Sequence, residues 1–339
     1  MSKKTTLRIA LLLGTLVSLY FVPWPILMAW ADPAKQTVQE QLDRAKRYGF
    51  EGAIVYIDKG GEESIYASGW HNRDQQIKAY PDALFKIASI GKLYDAVTVT
   101  RLVHRNVLSL DRMLLDYLPE LDQKIPNAER ITLKMLIQHQ SGIANVTDTE
   151  SFWTDPPKDA EESLSRVFNL PSNFEPGSTY AYSNTNYLLL SLIVKRVTKS
   201  GMFEAIRQEI LSPLELENTF ESIHEIDTDR LMSGYYIGVD EDIKGASYGS
   251  IVATASDVGR FVKALNKREL LSEEEQQLYE SLYRLEHTGL IPGYQSIAKY
   301  HPDIDAVVVL FTNTTNFDGY HWNLGEVLYN KLVRVVRRG

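Results

Sequence analysis

Residues 85–92 read Phe85-Lys86-Ile87-Ala88-Ser89-Ile90-Gly91-Lys92. A short apolar approach ends at Ser89, and residues 92–107 then carry helical periodicity. A serine hydroxyl is a weak nucleophile and needs a base beside it. Ser89 and Lys92 stand three apart and share one face of a helical turn. Partial desolvation of that face disfavours the ammonium, so the amine can take the serine proton. The start of the helix adds free backbone N–H groups, which favour a developing oxyanion. An N-capping serine followed by a solvent-facing lysine gives the same spacing. Ser296-Ile297-Ala298-Lys299 is a second match. It falls in a strand-like stretch, where positions i and i+3 point to opposite faces, and is set aside.

Outward from Ser89, strand signals gather at both ends of the chain. Residues 52–58 and 63–69 read as strands joined at Gly60-Gly61, a hairpin. Residues 286–290, 296–300 and 306–312 are strand-like, with a Pro302-Asp303 turn. Between these groups lie helical or loop segments, at 133–138, 161–168, 185–198 and 202–211. Further helices are expected at 33–48, at 258–265 with Ser256-Asp257 as its N-cap, and at 323–336. The pattern predicts an α+β fold: one antiparallel sheet from the two chain ends, flanked by helices, with a helical lobe inserted. The expected sheet portion covers about 32–88 and 245–339, and the lobe about 89–244.

Two further groups can carry chemistry. Tyr182-Ser183-Asn184 offers a phenol whose pKa a nearby lysine would lower, for proton relay. Its asparagine can both donate and accept; a turn before a helix is the structural alternative. His287-Thr288-Gly289 begins a late strand. Gly289 would let a substrate backbone approach, and His287 and Thr288 would meet a substrate carboxylate or leaving group. Alone, His287 reads as a half-buried strand histidine. Gly245-Ala246-Ser247-Tyr248-Gly249 mimics a nucleophile elbow but lacks the buried strand that motif requires before it. In Lys199-Ser200-Gly201, Gly201 reads as a helix terminator.

Composition narrows the class. The chain has 339 residues, 36 Lys plus Arg against 44 Asp plus Glu, a net charge of −8 and no cysteine. With 44% hydrophobic and 24% charged residues it is globular, not disordered. The acidic balance argues against nucleic acid as a partner. Without cysteine there is no disulfide, thiolate metal site or cysteine nucleophile. The seven histidines include no His-Glu-x-x-His, and serine chemistry needs no metal or cofactor. Lys3, Lys4 and Arg8 precede a stretch, 9–31, without charge. Residues 1–31 are read as an export signal cleaved after Ala29-Trp30-Ala31. The competing reading is a retained membrane tether through 9–31, interrupted by Pro23 and Pro25. Both place residues 32–339 outside the cytoplasm, whether secreted, periplasmic or anchored facing outward.

Taken in order, Ser-x-x-Lys, Tyr-x-Asn and His-Thr-Gly resemble the serine β-lactamase-like hydrolases. The nearest branch is that of class C β-lactamases, D-alanyl-D-alanine carboxypeptidases, other penicillin-binding proteins and related esterases. Leu108-Ser109-Leu110-Asp111, Tyr117-Leu118-Pro119, Ile137-Gln138-His139-Gln140-Ser141-Gly142, Ser212-Pro213-Leu214 and Thr254-Ala255-Ser256-Asp257 are similar landmarks. The stretch 182–190 matches almost residue for residue. The resemblance implies that Ser89 is acylated, that Lys92 accepts its proton, and that Tyr182 serves as general acid and base. It implies that Asn184 binds the acyl-side amide and that the N–H groups of Ser89 and Leu290 form the oxyanion hole. It implies a sheet-and-lobe fold with the site in the cleft between. The expected substrate is a D-alanyl cell-wall peptide or a D-alanyl or small-acyl ester, with a covalent β-lactam adduct as a consequence. Departures are His287 in place of lysine, Gly91 where threonine is common, and Gln138 and Gln140. They leave two alternatives, a class C-type β-lactamase and a catalytically inactive envelope protein. A membrane-tethered sensor rests only on the 9–31 stretch.

Overall fold

The Gly60-Gly61 turn forms the expected hairpin, with both glycines at positive φ. Strand β1 (Gly52–Lys59) pairs antiparallel with β2 (Glu62–Asn72). The computed structural model describes residues 3–339. The remaining strands of the main sheet are β3 (Ile77–Lys78), β4 (His287–Ile291), β5 (Tyr294–His301) and β6 (Ala306–Thr312). The six-stranded order is β3-β2-β1-β6-β5-β4. The two chain ends meet at its centre, where Ala53 faces Thr312 and Lys59 faces Ala306 in antiparallel register.

Helix α1 spans Lys3–Tyr20, α2 Trp24–Ala31, α3 Gly91–His104, α4 Asn184–Thr198, α5 Met202–Ile206, α6 Ala255–Asn266 and α7 His321–Arg338. Alternation along β1 divides its side chains between two cores. Ala53, Val55 and Ile57 pack with Leu324, Leu328 and Leu332 of α7. Ile54 and Tyr56 face the other core, with α3 and α6. There Tyr94 and Phe261 stack at 3.7 Å. Gly259 admits the Tyr56 ring, which a Cβ would meet at 2.1 Å.

Local reading erred where long-range partners decide. The 33–48 segment is a short helix, Val38–Leu42, and a 3₁₀ turn, Ala45–Tyr48. Helix α6 is capped by Thr254, not Ser256-Asp257; the Thr254 hydroxyl accepts the Asp257 N–H. The Asp257 carboxylate instead accepts from the Asn218 amide and the Thr219 hydroxyl. Lys199 itself takes the left-handed position after α4, and Gly201 lies just ahead of α5.

At the amino end, α1 exposes Leu7, Leu11, Leu12, Leu16 and Val17. Helix α2 bends from it by 77° and docks on α7. Ala29 is buried there, and Lys331 Nζ donates to the Ala29 and Asp32 carbonyls. Among the described residues no single helix is long and apolar enough to cross a membrane, but this bent pair has the length and composition together.

Candidate active site

A small antiparallel sheet delivers the serine. Phe85-Lys86 pairs with Val252-Ala253, which also pairs with Thr219-Phe220. Three hydrogen bonds then hold the turn into α3. Ile87 N–H donates to the Ile251 carbonyl (3.0 Å), Ala88 N–H to Ser250 Oγ (2.9 Å), and Ser296 Oγ–H to the Ile87 carbonyl (2.8 Å). Ala88 is held at φ 51°, a conformation that costs about 1–3 kcal/mol outside glycine. Ser296 is thus a buried clamp on the turn, while Lys299 pairs with Glu286. The second Ser-x-x-Lys match is split across the strand as its register requires.

Ser89 sits inside the short 3₁₀ turn Ala88–Ile90 ahead of α3 and lies with Lys92 and Tyr182 in one group. Tyr182 donates its hydroxyl hydrogen to Ser89 Oγ at 2.8 Å, and Lys92 Nζ donates to the same oxygen at 3.3 Å. Lys92 Nζ also donates to Asn184 Oδ1 at 2.8 Å. It lies 5.3 Å from the Tyr182 ring centre and 5.5 Å from that of Tyr187. The Asn184 amide group donates to Asn145 Oδ1 (3.2 Å) and Thr147 Oγ1 (3.0 Å). Asn184 therefore spends its amide on orienting Lys92, and offers a substrate amide no free donor in this arrangement. Asn145 and Thr147, at the start of the short 3₁₀ turn Val146–Asp148, carry no motif in the sequence and reach Lys92 only through Asn184.

His139 supports Tyr182. Its ring lies 4.5 Å from the Tyr182 ring and 5.2 Å from that of Tyr187. Its Nδ1 accepts the Ser183 N–H, and its carbonyl accepts the Ala181 N–H. Burial, with Lys92 nearby, holds its pKa down at about 3, so the ring is neutral. The sequence showed this histidine only as a landmark.

The third motif differs from expectation. His287 is buried, and both ring nitrogens are used: Tyr283 OH donates to Nε2 (2.9 Å), and Nδ1–H donates to the Thr288 carbonyl. Burial keeps its pKa near 3. It is the satisfied strand histidine of the structural alternative, and as a neutral ring it offers a substrate carboxylate no charge. Gly289 packs against protein instead of awaiting substrate. A Cβ there would lie 2.4 Å from the Ile87 carbonyl oxygen, 2.4 Å from Ser296 Oγ and 2.9 Å from Ala88 Cβ. The glycine seats β4 directly on the Ser89 turn. Ile291 and Tyr294 face each other across Pro292-Gly293. In such a hairpin alternate residues bond to the partner strand. The amides of Ile291, Gly289 and His287 therefore face β5, and those of Thr288 and Leu290 face the free edge. That edge packs on the turn of Ser89, whose own amide stands at a helix start.

Ser89, Lys92, Tyr182, Asn184, His287, Thr288 and Leu290 line one cavity of about 1230 Å³. Phe152, Trp153, Pro156 and Pro157 form part of its wall, although Phe152 also packs into the core. Arg284 lines it too, a cation that sequence reasoning missed. The Gly245–Gly249 stretch is a wall turn with Tyr248 at φ 51°, not a strand-to-helix elbow. Buried Lys86 pins it, donating to the Lys244 (2.7 Å) and Ala246 (2.6 Å) carbonyls. Burial pulls the Lys86 pKa down to about 7. Among the described residues no group of His, Asp and Glu is arranged to hold a metal.

Comparison with known proteins places the family and the fold. The sequence profile of the Beta-lactamase family matches residues 34–285. Protein flp of Staphylococcus aureus (strain MW2) is 27% identical over 188 residues, 53% of this chain and 38% of that protein. Penicillin-binding protein 4 of Amycolatopsis lactamdurans is 26% identical over 244 residues, 66% of this chain and 62% of that protein. The chain thus spans less than two thirds of the length of these curated relatives. The crystal structure of D-amino acid amidase from Ochrobactrum anthropi SV3, complexed with L-phenylalanine amide, superposes with a TM-score of 0.77. It is 23% identical, covering 89% of this chain and 97% of that one.

Proposed function

The chain belongs to the β-lactamase family, and from that premise we propose that it is an exported serine hydrolase that works through an acyl-enzyme on Ser89. The observation that carries this reading is the convergence of Tyr182 OH and Lys92 Nζ on Ser89 Oγ, at 2.8 and 3.3 Å. In the reactive form one of these two groups has given up a proton and accepts the one on Ser89. The Ser89 oxygen bonds to the substrate carbonyl carbon, and the carbonyl π pair moves onto oxygen. The N–H groups of Ser89 and Leu290 stabilise that oxyanion. Collapse breaks the bond to the leaving amine or alcohol, which takes the proton back through Tyr182. Water then repeats the sequence on the ester. Asn184 keeps Lys92 in place, and His139 keeps the Tyr182 ring.

The substrate we favour is a D-alanyl peptide or a D-aminoacyl or small-acyl ester or amide. The size of the cavity and the fold shared with a D-amino acid amidase support it. A terminal carboxylate would meet Arg284, since His287 is neutral. The absence of a cation at position 287 counts against the class C-type β-lactamase. The intact Ser89–Lys92–Tyr182 contacts count against an inactive envelope protein.

The amino end supports a retained tether over a cleaved signal. Ala29 is buried in a helix held by Lys331, a contact that a chain cleaved after Ala31 would lose. Lys3, Lys4 and Arg8 ahead of the apolar stretch orient the body outward. Fractionation with amino-terminal sequencing tests this: a membrane-bound chain that keeps residues 24–31 is expected, and a soluble chain starting near Asp32 would overturn it. For the chemistry, mass spectrometry after exposure to a fluorophosphonate and to a penicillin is the test. A single adduct on Ser89 is expected with the fluorophosphonate. No adduct, or equal labelling of Ser89→Ala, would overturn the reading. Rates on a D-alanyl-D-alanine peptide, a short-chain ester and a cephalosporin then rank the substrates.

A further inference from the structure

Helix α3 carries a carboxylate that the acyl-transfer scheme does not use. Asp95 lies six residues beyond Ser89, about 9 Å farther along the helix axis. It lines the same cavity as Ser89. Among the described residues it makes no hydrogen bond or ion pair within bonding distance. Lys92, one turn earlier, points its amine toward Asn184 and Ser89. Asp95 is thus half-buried and borders the cavity. An unpaired carboxylate in such a place costs several kcal/mol unless it finds a partner or holds a proton.

Part of the cavity it lines is apolar. Leu188 of α4 and Met202, Phe203 and Ile206 of α5 line the same cavity. Helices α3, α4 and α5 pack against one another at this point. Gly91 lies one turn before Asp95 on the same face and also lines the cavity. A Cβ there would press on Ile251 at 3.3 Å, so the departure at Gly91 leaves the cavity wall without a side chain at this turn. Apolar side chains and a carboxylate on one cavity match a flexible methylene stem with a cationic head.

We propose that this branch is a specificity pocket for an acyl group that carries a primary amine on a lysine-length stem, with Asp95 as the partner of the ammonium. The stem lies along Leu188, Met202, Phe203 and Ile206 while the acyl carbon sits at Ser89. Burial raises the Asp95 pKa to about 7, as expected of a carboxylate waiting for a cation. The pocket deepens the hydrolase reading, on which it rests for the position of the acyl carbon.

The test reads binding, so that it does not depend on turnover. Ser89→Ala protein is titrated calorimetrically at pH 8.5 with D-lysine amide and with D-norleucine amide. The two ligands share the α-amino group and the stem and differ at the terminal amine. D-lysine amide is expected to bind at least tenfold more tightly, and Asp95→Asn in the same background should bring the ratio close to one. Equal affinities in the Ser89→Ala protein, or a preference that survives Asp95→Asn, would overturn the pocket. Failure of fluorophosphonate to label Ser89 would instead overturn the hydrolase reading, and leaves the binding ratio interpretable.

Discussion

Replacing Gly289 with alanine tests the link between β4 and the nucleophile turn. The new Cβ would stand 2.4 Å from both the Ile87 carbonyl oxygen and Ser296 Oγ, where ordinary contact begins at 3.4 Å. Neither neighbour can yield alone, because the Ser296 hydroxyl is bonded to that same carbonyl at 2.8 Å. The strand must therefore move about 1 Å away from the turn, and overpacking of this kind costs about 1–3 kcal/mol. The catalytic loss should be larger in proportion. Leu290 moves with the strand, and loss of one oxyanion donor lowers kcat by about 10²–10³. Misplacement by about 1 Å alone costs about 10². The assay is kcat on a small ester together with the rate of fluorophosphonate labelling of Ser89, beside a thermal melt. A fall of about 100-fold in both rates is expected from a protein that still melts cooperatively. Gly61→Ala is the control: it strains the backbone at a positive-φ turn glycine but has open space around it. That variant should lose stability and keep its rate. Wild-type rates in folded Gly289→Ala protein would refute the placement of Leu290 at the oxyanion site.

Other outcomes follow from single contacts. Tyr182→Phe removes the hydroxyl at 2.8 Å from Ser89 and should lower kcat by about 10²–10⁴ with little change in KM; an unchanged kcat in steady-state kinetics would contradict the proton-transfer role. Asn184→Ala frees Lys92 and leaves Asn145 without one partner, so kcat should fall at least tenfold and stability by about 1 kcal/mol, read by kinetics and denaturant melts. Asp95 keeps its proton up to about pH 7 in the folded chain but only to 3.8 unfolded. Between those values the folded state binds the extra proton, so stability falls as pH rises through the window, by at most about 4 kcal/mol. Asp95→Asn should therefore melt above wild type at pH 8 and level with it near pH 4; the same difference at both pH values would contradict the shift.

The fold was largely readable because its signals are local. The Gly60-Gly61 turn, the alternation on either side of it and the apolar run at 306–312 each identify their strands without outside help. The grouping of Ser89, Lys92 and Tyr182 was also legible, since their spacing reflects one helical turn and one helix start. What stayed hidden depends on burial and on distant partners. His287 looks like a charge carrier until Tyr283 and the Thr288 carbonyl occupy both its nitrogens. Gly289 looks like a gap for substrate until the Ile87 carbonyl fills it. Asn145 and Thr147 carry no motif, yet they fix Asn184 and through it Lys92. Gly91 reads in the sequence only as a departure where threonine is common, and the fold puts it on the cavity wall against Ile251.

The pairing of Ala53 with Thr312 also bears on when the protein becomes competent. The two central strands come from opposite ends of the body, and closing so long a loop is slow compared with forming local hairpins. During synthesis, β1 has no inner neighbour until the last strand emerges. Ser89 and Tyr182 are then already made, but the edge carrying Leu290 has no sheet to hold it against them. A chain threaded across a membrane from its amino end would thus remain inert in transit and acquire its site only after nearly all of it has arrived.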